Sequence, residues 1–168
     1  TTVARQVNNT VNSAYWNIGK LLFHKNLEKG YGSGVVKKLS VDLKAEFPDM
    51  GLSPRNLWNM KRLYERYYQE DTKLIQVVAV LPWGHNLLLL DKGLSIEETL
   101  FYAEECLQKG WSRDMLLNAI KMNTYAIRRK QCKSNNFDVA LPEAQVDYAN
   151  EVFKSSYNLG FLGITEPV

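Results

Sequence analysis

"LSPRNLWNMKRLYERY", residues 52–67, is the stretch whose reading decides the fold. Ser53 followed by Pro54 is a helix start. The serine hydroxyl can accept from an orphan backbone N–H, and the proline ring presets φ at a position where its missing N–H costs nothing. Beyond it, Leu57, Met60, Leu63, Tyr64 and Tyr67 recur at helical spacing and form one apolar side. At about 100° per residue, Arg55, Asn59, Arg62 and Arg66 fall within roughly 40° of a single line on the other side. An amphipathic helix with a core face and a basic outer stripe is therefore predicted, and Trp58 stands beside the stripe.

Upstream, residues 2–27 read as a helix whose buried face carries Val3, Val7, Val11, Ala14, Ile18 and Leu22. The glycines of "EKGYGSG", 28–34, stop it. A second helix runs through "VVKKLSVDLKAEF", turns Val36, Leu39, Leu43 and Phe47 inward and Lys37, Lys38 and Lys44 outward, and ends at Pro48. With the helix after Ser53 it forms a helix–turn–helix pair.

Downstream, "QVVAVLPWGHNLLLLDKG" holds an ambiguity. Gln76 to Leu81 is a strand by its β-branched content or a short buried helix. Pro82 to Gly84 breaks it, and His85 to Asp91 forms another short helix. Ser95 and Glu98 make a capping box for "IEETLFYAEECLQK", which Gly110 closes. Ser112 caps a last long helix running to "YAIRRK". A linker, "QCKSNNFDVALP", a short acidic helix near 143–155 and an irregular ending follow. The expected architecture is mainly α, with a helical domain over 1–133 and an acidic linker with a short helix over 134–168.

The 168 residues suffice for one domain with a real core, and 45% hydrophobic with 23% charged residues is an ordinary globular balance. The net charge of +3 is too small to establish a nucleic-acid partner, but it is unevenly spread. Residues 1–70 hold 11 Lys and Arg against 6 Asp and Glu, whereas residues 134–168 hold 1 against 5. Cys106 and Cys132 match no metal or redox spacing, which points to a reduced, cytoplasmic protein. The polar start is no signal peptide, and "VVAVLPW" and "NLLLL" are too short to span a bilayer. The chain begins without Met, as expected of a piece cut from something longer.

Groups for catalysis are scarce. Of the two histidines, His24 suits a surface role and His85 a capping or packing role. No HExxH, paired CxxC or acidic cluster at metal spacing occurs. "GYGSG" lacks the Lys-Ser/Thr that completes a phosphate loop and reads as a turn. Glu97-Glu98 and Glu104-Glu105 belong on a solvated helix face. The basic stripe has two readings: a solvated face with Glu65 and Glu70 as local partners, or a surface for something acidic. Arg55 near exposed N–H groups suits phosphate, and Asn59 and Trp58 add base-edge and stacking chemistry.

Four stretches in order, "YWNIGKLL", "YGSGVVKKLSVDLKAEFPDMGLSPRNLWNMKRLYE", "LPWGHNLLLLDK" and "FYAEECLQKGWSRDMLLNAI", resemble the N-terminal domain of the YhcG-type bacterial nucleases. Those proteins carry a PD-(D/E)XK nuclease domain at their C-terminus, and "YNLGFLGI" resembles the junction before it. The resemblance implies a winged-helix-like fold, with 74–81 as the one candidate wing strand, and a role on foreign or mobile DNA. It also has a departure: in many relatives Ser or Thr stands in place of Gly84. The metal-holding Asp and Glu-x-Lys of the nuclease are missing, so no catalytic residue, metal or cofactor is expected in this chain.

The expected function is thus a non-catalytic DNA-binding or targeting module of a nuclease-type protein. Arg55, Asn59, Arg62, Arg66, Lys37, Lys38, Lys44 and Trp58 would be its nucleic-acid contacts, and DNA, a second copy and a C-terminal nuclease domain its partners, with no membrane. The alternative is a protein–protein or dimerisation module anchored by Trp58, Tyr68 and Trp111.

Overall fold

The structure, a computed structural model, describes residues 2–25 and 32–134. Among these residues eight helices follow one another: α1 (Thr2–His24), α2 (Ser33–Glu46), α3 (Pro54–Tyr67), α4 (Thr72–Val80), α5 (Trp83–Asp91), α6 (Ile96–Lys109), α7 (Arg113–Lys121) and α8 (Thr124–Ser134). The mainly helical expectation holds. The chain divides into two compact units between Met122 and Asn123. The glycine-rich stop at 28–34 lies largely outside the described residues. So do the linker beyond Ser134, the acidic helix near 143–155 and the "YNLGFLGI" ending.

In the first unit α3 is the central element, and α1 is its main neighbour. Leu57, Met60, Leu63, Tyr64 and Tyr67 are all buried, the five residues that the spacing assigns to the inner face. Two apolar clusters share this face. One gathers Tyr15, Leu22, Val36, Leu52, Leu57 and Met60, and the other Leu63, Tyr67, Leu74 and Val78, with Trp83 packed against both.

The face expected on α1 holds at its far end, where Leu22 is buried and Val11 and Ile18 pack against the first cluster, and fails at its start, where Val3 is 70% and Val7 57% exposed. The buried line runs through Asn12, Tyr15, Gly19 and Leu22. Length explains part of this. The 23 residues of α1 reach about 35 Å and the 14 of α3 about 21 Å, so the start of α1 overhangs its neighbour. Contact explains the rest, because a Cβ on Gly19 would overlap the carbonyl oxygen of Met60. The two backbones meet where there is no side chain to hold them apart. On α2, Val36 is buried and Leu39 and Leu43 partly so, but Phe47 remains 49% exposed at its end.

Residues 72–80 are helix, which settles the ambiguity of that stretch, and the described residues contain no strand and so no wing hairpin. The Asp71 side chain accepts from the Lys73 backbone N–H, Leu74 and Val78 enter the core, and Pro82 ends the run. Burial outweighs the weak β preference of Ile75, Val77, Val78 and Val80. With Pro82 following, the last carbonyls of α4 lack i+4 helical donors, and among backbone donors Val78 takes only the Leu81 N–H at 3.3 Å. Side-chain amides supply them: Asn86 donates to Val78 at 3.0 Å, Asn8 to Val80 at 3.2 Å, and Asn12 to Ala79 at 2.8 Å and Leu81 at 2.6 Å.

Later boundaries follow local chemistry. Ser95 and Glu98 form the capping box of α6, and Gly110 ends it at φ 64°. The single long helix expected after Ser112 breaks instead, with Asn123 at φ 52° between α7 and α8. Asn is among the few residues besides glycine that take this left-handed conformation readily. In the second unit α8 has no buried residue.

Candidate functional site

The Ser53 hydroxyl accepts from the Asn56 backbone N–H at 3.2 Å and sets the start of α3. Arg55 therefore lies in the first turn, exposed. The Asn56 side chain turns back into the fold. It donates to the Gly51 carbonyl and accepts from Trp83 Nε1 at 2.9 Å, which ties the start of α5 to the start of α3. On α7 the Ser112 hydroxyl accepts from the Met115 N–H at 3.2 Å, leaving Arg113 exposed as the first helical residue. Since α5 packs against both α3 and α7, these two starts border one open groove of about 660 Å³. Arg55, Trp58, Asn59 and Arg62 come from α3, Leu87 and Asp91 from α5, and Arg113 from α7.

Charge in the groove is unequally engaged. Both Nη atoms of Arg62 donate to Asp91 Oδ1 at 3.2 Å, and Nη1 also reaches Asn59 Oδ1 at 3.2 Å. Arg62 and Asp91 are 45% and 60% exposed, so their pairing contributes no more than about 1 kcal/mol and can be exchanged for another anion. Arg55 and Arg113 have no hydrogen bond or ion pair among the described residues. A cation in the first turn opposes the helix dipole, so each slightly weakens its own helix and adds to the positive potential of the groove.

The remaining predicted residues lie elsewhere. Arg66 donates to the Leu94 carbonyl at 2.9 Å and stands 5.9 Å from the Tyr67 ring, tying α3 to the α5–α6 connection. Lys37, Lys38 and Lys44 are exposed on α2 and do not line the groove. Trp58 is half-buried against the first core cluster, with the Lys61 ammonium 5.7 Å from its ring. Tyr68 stacks on Tyr64 at 5.1 Å, and Trp111 is half-buried with Lys109 over it at 5.5 Å. His85 is a packing residue, its Nε2 donating to the Trp111 carbonyl at 2.7 Å. Burial, with Glu105 beside it, pushes the Cys106 thiol up to about 12, so it stays protonated near neutral pH.

Arg113 was not among the residues that the sequence pattern singles out. A signal for it exists. Ser112-Arg113 repeats the arrangement of Ser53-Pro54-Arg55, a capped helix start that carries a cation where the dipole disfavours one. Among the described residues no three His, Cys, Asp or Glu side chains gather as a metal site would need, and no helix is long and apolar enough to cross a membrane.

The fold and the groove define an all-helical domain, among its described residues, that presents arginines from two helix starts. The model of the DUF1016 N-terminal domain family matches residues 1–127, and the chain belongs to that family of domains of unknown function. No curated protein and no solved structure matches it.

The departure at Gly84 is cheap in this geometry. A Cβ there would meet the Arg113 Cδ at 3.6 Å, an ordinary contact, and the residue sits in the first turn of α5. Gly84→Ala is expected to raise stability by about 0.4–1 kcal/mol by restricting the unfolded chain. A thermal melt showing a loss instead would mean that Arg113 is wedged tightly against α5.

Proposed function

We propose that the chain is a non-catalytic nucleic-acid-binding module, the targeting part of a bacterial, cytoplasmic nuclease-type protein that acts on DNA. The observation that carries this reading is the groove: Arg55, Arg62 and Arg113 line it together, and two of the three have no partner among the described residues. Guanidinium groups bind phosphate in a bidentate manner and remain charged at any working pH. Lys37, Lys38 and Lys44 on α2 add exposed cations for further phosphate contacts. The resemblance to the YhcG-type nucleases supports the same role.

A protein–protein or dimerisation role draws support from Val3 and Val7, which the overhang of α1 leaves exposed. The proposed anchors Tyr68 and Trp111 favour it less, since both already pack on their own chain.

Fluorescence anisotropy with labelled DNA between about 50 and 200 mM salt separates the two. Binding is expected to fall log-linearly with salt, and the double variant Arg55→Ala with Arg113→Ala to flatten the slope by about two, one per lost phosphate contact. Lys38→Ala should weaken binding equally on every sequence. A folded protein that binds no DNA at low salt overturns the proposal, and the size of the oligomer then becomes the informative quantity.

A further inference from the structure

Resting on the nucleic-acid reading, we infer that the groove between α3, α5 and α7 holds an unpaired nucleotide rather than the edge of an intact duplex. A recognition helix reads duplex DNA by pushing its outer face into a major groove about 12 Å wide. The outer face of α3 does not stand free for this. It shares a depression with Leu87 and Asp91 of α5 and Arg113 of α7, and it is tied down by Arg62 on Asp91 and by Arg66 on the Leu94 carbonyl.

The contents of the groove suit a single nucleotide. Arg55 and Arg113, from two different helices, offer two phosphate-binding guanidiniums. Trp58 and Leu87 supply apolar surface against which a base can lie, and base–aromatic stacking tolerates any sequence. Asp91 is the residue that a pure backbone binder would not place here, because its charge repels phosphate. A carboxylate instead accepts from the exocyclic amino group of a base, cytosine above all. Its Oδ1 is held by Arg62, and Asn59 is held by the same guanidinium, so one arginine orders both base-edge groups. At about 660 Å³ the groove falls within the roughly 300–1,000 Å³ span of small-ligand sites, room for a nucleotide.

The test uses the full 168-residue chain and four probes: oligo-dC, oligo-dT, the same strands in duplex form, and CMP as competitor. Single strands are expected to bind at least tenfold tighter than duplex, with oligo-dC ahead of oligo-dT. Asp91→Ala, which removes both the charge and the acceptor, should tighten binding to both strands while erasing the preference for dC, an effect that general loss of structure would not produce. Arg113→Ala should weaken single strands and duplex unequally, the former more. Displacement of the strand by micromolar CMP, or binding of CMP alone, supports the inference with a free nucleotide as the source. Duplex binding equal to or tighter than single-strand binding overturns it and leaves the nucleic-acid reading standing. No binding of any probe by a folded protein ends both.

Discussion

Gly19→Ala is expected to destabilise the first unit by about 3 kcal/mol or more, against the 5–15 kcal/mol that a domain typically has in reserve. By helix propensity alone the change should help, since Ala gains about 1 kcal/mol over Gly inside a helix. Packing reverses the sign. The added Cβ would overlap the Met60 carbonyl oxygen, stand 2.6 Å from its carbon and press on the Lys61 nitrogen at 3.2 Å. These are backbone atoms of α3 and have no rotamer to escape into. Relief requires α1 and α3 to separate, which loosens Tyr15, Leu22, Leu57 and Met60 together. A drop in melting temperature of about 10 °C or more should follow. An unchanged or raised melting temperature would show that the two helices do not approach this closely. Gly84→Ala, with its opposite expected sign, is the internal comparison.

The second large effect is expected at Asn12. It is 4% exposed, and its amide donates to two carbonyls at the end of α4. Both neighbours are acceptors, so the side-chain orientation is set by them. Asn12→Ala leaves the Ala79 and Leu81 carbonyls without this donor in a place water does not easily reach. At about 1–3 kcal/mol for each such group, less what relaxation recovers, a loss of about 2–4 kcal/mol is expected in urea unfolding. Asn12→Asp keeps the shape and should cost more than alanine does, because a carboxylate brings no donor and places negative charge against two carbonyl oxygens. A loss below about 1 kcal/mol for both variants would mean that solvent reaches this helix end and the amide is dispensable.

Much of this fold was legible locally. Helix starts at Ser53, Ser95 and Ser112 are decided by side chains bonding to backbone groups three residues on, and the stop at Gly110 by a left-handed backbone conformation that glycine takes freely, both of which spacing reveals. The inner face of α3 was legible for the same reason: five apolar residues at period 3.6 have only one side to occupy. The stretch 74–81 was not, because a short apolar run carries no period long enough to separate helix from strand. On α1 periodicity found Leu22 and the partly buried Val11 and Ile18, but the contact line also uses a glycine and an asparagine, residues that no hydrophobic pattern marks.

The site divides in the same way. The sequence by itself placed Arg55, Asn59, Arg62 and Arg66 on one line of one helix, because a helix wheel is a local property. Only the tertiary structure separated them. Arg66 is tied to a carbonyl 28 residues away, Arg62 is shared with Asp91, and Arg55 is left to line one groove with Arg113. Which charge stays free depends on what packs beside it, and that is settled by contacts between residues far apart in the chain.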